Sequence, residues 1–85
     1  MKLTVIIPIY NEARTLREIL NRVLATSLAD EILLVDDGST DGTRDLLAAL
    51  EGRQGIRVIL HAQNQGKGAA VRTGISAATG DVILI

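Results

Sequence analysis

The sequence contains no cysteine, no tryptophan and no phenylalanine, and it has one tyrosine and one proline in 85 residues. Without cysteine there is no disulfide framework and no thiolate metal site, which is consistent with a reducing compartment. Without large aromatic side chains, the core must be built from Leu, Ile, Val and Ala. The single aromatic residue, Tyr10, falls in a predicted loop, so a role in the core does not explain it.

The sequence also lacks an excess of one charge and a long apolar run. Nine basic and ten acidic residues give a net charge of −1, and the basic residues are scattered, so nucleic acid is not an expected partner. No apolar stretch approaches the roughly 18 residues of a membrane span, and no small-residue cleavage site follows the apolar N-terminal segment. With 47% hydrophobic and 22% charged residues, we expect a folded globular domain in the cytoplasm.

What is present is an alternation of strand-like and helix-like segments. The apolar, β-branched run Leu3–Ile9 predicts a buried strand whose end is marked by Pro8. Leucine, isoleucine and valine at helical spacing follow, and they predict an amphipathic helix with Asn11 as its N-cap. The complete prediction is strands at 3–9, 31–35, 56–60 and 81–85, with helices at 12–26, 42–52 and 69–78.

This order, βαβαβαβ with short connections, predicts an α/β fold with three αβα layers and a parallel, Rossmann-like sheet. No repeat, low-complexity tract or linker divides the chain, so residues 1–85 form one unit. Because the chain stops on a fresh apolar strand, we expect it to be the N-terminal part of a larger domain, truncated after the fourth strand.

Three polar segments follow the first three predicted strands: PIYNE at 8–12, DDGSTDGT at 36–43 and NQGKGAAVRTG at 64–74. In an open parallel sheet, ligands bind beyond the carboxyl ends of the strands. We therefore expect these segments to form one rim around a ligand site.

The second segment carries more negative charge than a turn requires. Helix capping explains Asp41, because an acidic side chain suits a helix N-terminus. Capping does not explain the adjacent pair Asp36 and Asp37, for which we expect one carboxylate to be hydrogen-bonded internally and the other to face a donor-rich ligand such as a base or ribose. The alternative is an ordinary strand exit followed by a helix cap.

The first segment admits a structural and a functional interpretation. In the functional one, Tyr10 and the neighbouring backbone border a flat base, while Glu12 bonds to sugar hydroxyls or orients the loop. In the structural one, the segment is a β-to-α turn with a partly covered tyrosine ring. The neighbouring acidic loop favours the functional interpretation.

In the third segment, Gly66 and Gly68 allow a ligand to approach the backbone closely, and Lys67 and Arg72 offer cations to a diphosphate near a helix N-terminus. The alternative is a flexible loop with solvated charges. His61 has no second His or Cys at ligand spacing, so we interpret it as a strand-end residue and not as a metal ligand.

Two better-known nucleotide motifs are absent from the sequence. The turn after the first strand contains no glycine, so there is no G-x-G-x-x-G fingerprint. A P-loop would need a glycine at His61 and a Ser or Thr at Gly68. Neither hydride transfer nor nucleotide hydrolysis by those folds is indicated.

Taken together, the three segments resemble a known family. VIIPIYNE, EILLVDDGSTDGT and NQGKGAAVRTGISAATGDVILI, in this order and spacing, are similar to the N-terminal part of family 2 glycosyltransferases of the GT-A fold. Within that family, the resemblance is strongest to the polyprenyl (dolichyl) phosphate mannosyl- or glucosyltransferases. It covers nearly the whole chain.

The resemblance implies transfer of a hexose, with inversion, from a UDP- or GDP-sugar to an acceptor. It implies polyprenyl phosphate as that acceptor, at the cytoplasmic face of the membrane, and Mg²⁺ or Mn²⁺ as the cofactor. The nucleotide-binding residues that it implies are Pro8, Tyr10, Glu12, Asp36, Asp37, Gly66, Lys67 and Arg72.

The family's metal-binding D-x-D motif follows the strand that begins at Asp81, so this chain stops before it. We therefore assign no metal ligand and no catalytic residue here, and we expect a donor nucleotide subsite without activity of its own. Any membrane association would belong to the missing C-terminal part. The family's sheet order places the fourth strand beside the first, and its free edge is expected to make the chain self-associate.

Two other classes compete with a glycosyltransferase. One is a non-catalytic nucleotide-binding or self-associating α/β module. The other is a receiver-type phosphoacceptor domain, which we disfavour because its acidic pair should follow the first strand, whereas here the pair follows the second.

Overall fold

The computed structural model describes residues 2–84, which form seven elements in strict alternation. The strands are β1 (Leu3–Ile9), β2 (Glu31–Asp36), β3 (Ile56–Leu60) and β4 (Val82–Leu84), and the helices are α1 (Leu16–Ala25), α2 (Thr43–Leu50) and α3 (Lys67–Ala77). The predicted order of elements is confirmed. Residue 85, which the prediction included in the fourth strand, lies outside the described residues.

The four strands form one parallel sheet in the order β3-β2-β1-β4. The predicted position of the fourth strand beside the first is therefore confirmed. All six residues of β2 are buried, because this strand has neighbours on both sides and helices on both faces. This burial explains why its sequence is almost continuously apolar.

Alternation along the strands divides the core between the two faces of the sheet. One face packs against α1 and α2, and its buried residues are Ile9, Leu16, Leu20, Ile32, Leu34, Leu47 and Ile56. The other face packs against α3, and its buried residues are Ile6, Leu33, Val35 and Ala70. The predicted three-layer αβα architecture is confirmed.

Pro8 lies inside β1, an interior strand of the described sheet, where a residue without an N–H group is unusual. The carbonyl oxygens of Leu3 and Ile9 accept hydrogen bonds from the β2 side. Because hydrogen-bonding directions alternate along a strand, the backbone nitrogen of Pro8 is directed toward β4. There β4 pairs only with Leu3–Val5. The missing N–H group therefore leaves no described partner unsatisfied, and β1 ends one residue later, at Ile9.

Helix α1 begins four residues later than predicted, and Asn11 is not its N-cap. The N-cap is Thr15, and Asn11 has a left-handed backbone with φ of 50°. Its side-chain oxygen accepts the Thr40 N–H at 2.8 Å, so it joins two loops instead of capping a helix. The N–H groups of Thr15 and Leu16 are bonded to the Glu12 carbonyl oxygen, which closes the turn before the helix.

Candidate ligand site at the carboxyl ends of the strands

The first three strands end level with one another. Asp36 lies opposite both Ile9 and Leu60 in the parallel register. Beyond this point, the Asp37 N–H donates to the Ile9 carbonyl and the His61 N–H donates to the Asp36 carbonyl, each at 2.8 Å. The three polar loops therefore leave the sheet from one edge, as the sequence predicts.

These loops surround a cavity of about 280 Å³, just below the range of roughly 300–1,000 Å³ for small-molecule sites. Its lining comprises Pro8, Ile9, Tyr10, Glu12, Asp37, Asn64, Gly66, Lys67 and Ala70. Six of the eight residues predicted to bind a nucleotide are in this lining. Asp36 and Arg72 are not.

Asp37 is buried in the cavity wall, with 3% of its surface exposed. Its Oδ1 accepts the Gln65 N–H at 2.8 Å and lies 3.0 Å from His61 Nδ1, while its Oδ2 accepts the Gly66 N–H at 2.9 Å. Burial raises the pKa of Asp37, but the hydrogen bonds from Gln65, His61 and Gly66 outweigh burial and hold this pKa below its ordinary value. Asp37 is therefore an ionised acceptor at neutral pH.

Asp36 is fully buried and has a different environment. Its Oδ2 accepts the Ser39 N–H at 3.1 Å and the Arg44 Nε–H at 3.0 Å, and Arg44 also donates to the His61 carbonyl. Alternation places Asp36 on the α1/α2 face of the sheet, opposite to Asp37. The contacts of Asp36 are thus internal, and it binds the acidic loop and α2 to the ends of β2 and β3.

The rest of the acidic loop is fastened to the β1–α1 loop. Ser39 Oγ accepts the Asn11 N–H at 2.9 Å, and the Thr40 N–H donates to Asn11 Oδ1. Asp41 accepts the N–H of Thr43, the first residue of α2, at 3.0 Å, and the N–H of Ala13 at 3.2 Å. Asp41 therefore accepts a free N–H group at the start of α2, as predicted, although the N-cap position itself is occupied by Gly42.

Helix α3 begins at the cavity. The Gly66 backbone has φ of 97°, and its N–H group also lies 3.0 Å from Asn64 Oδ1. Lys67 is exposed and lines the cavity, whereas Arg72 is exposed further along the helix. Since a helix N-terminus carries a partial positive charge, Lys67 and the start of α3 make this side of the cavity electropositive.

Tyr10 and Glu12 line the cavity from the loop between β1 and α1. The Tyr10 side chain is about half exposed, at 47%, so its ring is accessible to a ligand. Glu12 Oε2 accepts the Thr15 hydroxyl at 2.8 Å. This bond orients the carboxylate and leaves Oε1 without a hydrogen bond among residues 2–84.

The sequence interpretation missed the contribution of His61. It does follow β3 directly, as predicted, but it is 8% exposed and contacts Asp37. The parallel register could have revealed this contact, because Leu60 lies opposite Asp36 and the next residues along each strand must also be neighbours. Asn64 and Arg44 were missed too, since their contacts depend on how the loops fold.

The residues from 2 to 84 contain no cluster of three His, Cys, Asp or Glu side chains that could hold a metal ion. The described side chains therefore do not fit the divalent ion that the resemblance implies, and no step is assigned to it. No helix within the same residues has the length and apolar character needed to cross a membrane.

The parallel αβα sheet, with a polar cavity at the carboxyl ends of its strands, defines an α/β protein of the open-sheet class, in which ligands bind at that edge. A family model described as "Glycosyl transferase family 2" matches residues 4–85, and the chain belongs to this family.

Curated relatives agree with this assignment. The chain is 48% identical to an uncharacterized glycosyltransferase of Nostoc sp. over 86 residues, which cover 98% of this chain and 26% of the relative. It is 40% identical to the undecaprenyl-phosphate 4-deoxy-4-formamido-L-arabinose transferase of Aeromonas hydrophila, over 95% of this chain and 27% of the relative. The chain thus spans about a quarter of the length of these relatives.

Solved structures show the same architecture. Residues 1–349 of TarS from S. aureus, crystallised with UDP, superpose with a TM-score of 0.86 and 28% identity over 99% of this chain and 26% of TarS. The crystal structure of TarS with UDP-GlcNAc gives the same TM-score and identity, over 99% of this chain and 25% of TarS. The fold is the Rossmann-like αβα arrangement of GT-A glycosyltransferases, as predicted.

Proposed function

We propose that residues 1–85 form the donor-nucleotide-binding part of a glycosyltransferase that transfers a sugar from a nucleoside diphosphate sugar to an acceptor. The observation that carries this proposal is the composition of the cavity wall. It brings together an accessible aromatic ring, that of Tyr10, an ionised buried acceptor, Asp37, and a cation, Lys67. These are the three chemical features that a base, a ring N–H group and a diphosphate require.

The nucleoside is assigned to the side of Asp37 and Tyr10. A base can lie against the Tyr10 ring while one of its ring N–H groups donates to the Asp37 carboxylate. The free Oε1 of Glu12 is an acceptor for ribose hydroxyls. Pro8 and Gly66 contribute surface without side-chain donors, which lets a flat ligand approach the backbone.

The diphosphate is assigned to Lys67 and the N-terminus of α3. Both carry positive charge, which stabilises the charge that develops on the leaving diphosphate as the bond to the sugar breaks. Mg²⁺ or Mn²⁺ would neutralise the same charge in the whole enzyme. Its ligands are not among the residues described here.

For the acceptor we propose a polyprenyl phosphate, and for the transferred group a hexose. The acceptor is supported by the name of the Aeromonas relative, an undecaprenyl-phosphate transferase. In this reaction the phosphate oxygen of the lipid forms a bond to the anomeric carbon, and the electron pair of the broken bond leaves with the nucleoside diphosphate. An ionised phosphate oxygen carries no proton, so such an acceptor reduces the need for a general base. Such a lipid would place the reaction at the cytoplasmic face of the membrane.

The substitution Asp37→Asn tests the nucleoside assignment. We expect it to weaken UDP or GDP binding by about tenfold to a hundredfold, since a hydrogen bond to a charged group is worth about 1.5–3 kcal/mol. The control is Asp41→Asn, which alters a helix cap outside the cavity, and it should change binding less than about threefold. Isothermal titration measures both affinities, and urea unfolding shows that each variant is folded at the titration temperature.

Three results would contradict the proposal. Equal effects of the two substitutions would show that Asp37 has no special place in the site. NAD binding more tightly than UDP and GDP would indicate a different nucleotide class. A strong tightening by Mg²⁺ would show that this chain holds the metal after all.

A further inference from the structure

The only histidine of the chain links Asp37 to helix α3. His61 Nδ1 lies 3.0 Å from Asp37 Oδ1, and His61 Nε2 lies 2.8 Å from the Thr73 hydroxyl oxygen. The ring is 8% exposed, so both of its nitrogens have a protein partner and little contact with water. Thr73 on α3, His61 directly after β3 and Asp37 in the cavity wall are thus joined by consecutive hydrogen bonds.

The partners determine how the ring is protonated. An ionised carboxylate can only accept hydrogen bonds, so the proton of a neutral His61 ring lies on Nδ1 and is donated to Asp37. Nε2 is then the acceptor, and the Thr73 hydroxyl donates to it. A hydroxyl can also accept, so Thr73 satisfies Nε2 in either protonation state of the ring.

A carboxylate offers about four acceptor positions, two on each oxygen. On Asp37, Oδ1 is saturated by the Gln65 N–H and by His61, whereas Oδ2 has only the Gly66 N–H. One acceptor position therefore stays open on Oδ2 of this cavity-lining residue. Without His61 a second position would open on Oδ1, and the carboxylate would be held only by the backbone N–H groups of Gln65 and Gly66.

We propose that His61 is a positioning residue of the nucleoside subsite, which holds the Asp37 carboxylate so that a single acceptor position faces the cavity. The inference depends on the proposed function. It predicts the class of base: uracil and guanine present a ring N–H donor to that position, whereas cytosine and adenine present a bare ring nitrogen that an anionic oxygen repels.

The substitutions His61→Asn and His61→Gln separate positioning from packing. The amide nitrogen of asparagine can take the place of Nδ1 and restore a donor to Asp37, although the side chain is smaller. The amide of glutamine reaches instead toward the place of Nε2 and Thr73. Positioning thus favours asparagine, whereas space filling favours glutamine.

We expect the full chain to bind UDP more tightly than CDP. His61→Asn should retain UDP affinity within about threefold, while His61→Gln and His61→Ala should lose about tenfold or more and discriminate less between UDP and CDP. Thr73→Val should have a smaller effect than His61→Ala, because it leaves the Nδ1 contact intact. Titration calorimetry measures affinity, and urea unfolding provides the stability of every variant.

A spectroscopic readout accompanies these titrations. Because the chain has one histidine, ¹⁵N labelling of histidine reports on His61 alone. The ring nitrogen shifts should show the Nδ1–H tautomer, and Asp37→Asn should alter them. A ring with its proton on Nε2 would overturn the proposal.

The binding results distinguish two failures. If wild type binds UDP and His61→Ala binds it equally well, or if His61→Gln matches wild type while His61→Asn does not, the positioning role is wrong and the proposed function stands. If wild type binds neither UDP nor GDP, the proposed function fails and the positioning role fails with it.

Discussion

Replacing Gly38 by alanine is expected to lower the free energy of unfolding by about 3 kcal/mol or more and to abolish measurable nucleotide binding. Gly38 has φ of +81°, where a β-carbon alone costs about 1–2 kcal/mol. The new β-carbon would also lie 2.5 Å from the Asn64 nitrogen and 2.8 Å from the Gln63 carbonyl carbon. Both are backbone atoms, so the acidic loop and the loop 61–66 would have to move apart.

This movement would displace the Asp37 carboxylate, because the N–H groups of Gln65 and Gly66 are hydrogen-bonded to it. The matched control is Gly42→Ala. Gly42 has φ of +94° but no atom within 4 Å of the added β-carbon, so only the conformational cost of about 1–2 kcal/mol applies. Urea unfolding and UDP titration of both variants are the measurements. Equal losses of stability in the two variants would show that the two loops are not packed as described.

The second large effect is expected at the opposite end of the sheet, at Glu31. This carboxylate is 6% exposed, and it accepts hydrogen bonds from the Thr4 hydroxyl, the Thr79 N–H and the Arg57 guanidinium, each at 2.9 Å. Burial raises the pKa of Glu31, but the bonds from Thr79, Arg57 and Thr4 together lower it from 4.5 to about 2.

The sign of the pH dependence follows from this lowered pKa. The folded protein holds the ionised form more strongly than the unfolded chain does, so the contribution of Glu31 is fully present above pH 4.5 and is lost as the pH falls from 4.5 toward 2. At 1.36 kcal/mol for each unit of pKa, this lowering corresponds to about 3–4 kcal/mol, which solvent screening of the Arg57 contact reduces to about 2–3 kcal/mol. Arg57 is about half exposed, which keeps the value at the lower end.

Glu31→Gln is therefore expected to lower the free energy of unfolding by about 2 kcal/mol at pH 7 and to flatten the decline below pH 4.5. Glu18→Gln is the control, because Glu18 forms an exposed i,i+4 pair with Arg22 and such pairs contribute about 0.3–0.5 kcal/mol. Urea unfolding from pH 2 to pH 7 provides the comparison. A decline of unchanged steepness in Glu31→Gln would assign the acid sensitivity to other carboxylates.

Local sequence was sufficient to predict the strands. The bounds of β1 and β3 agree with the prediction, because a β-branched apolar run flanked by polar residues leaves little choice of structure. Helix α3 was predicted at 69–78 and lies at Lys67–Ala77, although small residues give it a weak apolar pattern. Gly74 allows α3 to pack closely against β1, since an added β-carbon would lie 2.5 Å from the Ile6 side chain.

Local sequence was not sufficient where contacts between loops decide the structure. Asn11 has the residue type of an N-cap, yet its hydrogen bonds with Ser39 and Thr40 hold it in a left-handed conformation. The Asp36/Asp37 pair was recognised as unusual, but assigning each carboxylate to a face requires the strand register. His61 depends on the same register, and residues 24 positions apart in the chain carry no periodic signal.

The sheet order also affects the time course of folding. The neighbours of β1 are β2, which follows it closely in the chain, and β4, whose approach brings Asp81 to hydrogen-bond with the backbone of Lys2. During synthesis β1 is therefore made well before β4, because these two partners are almost 80 residues apart in the chain. Pairings of such high contact order close a large loop and are slow to form. A nascent chain would thus hold β1, β2 and β3 together with one side of β1 open, and it is at this stage that a chaperone or a neighbouring chain could bind there.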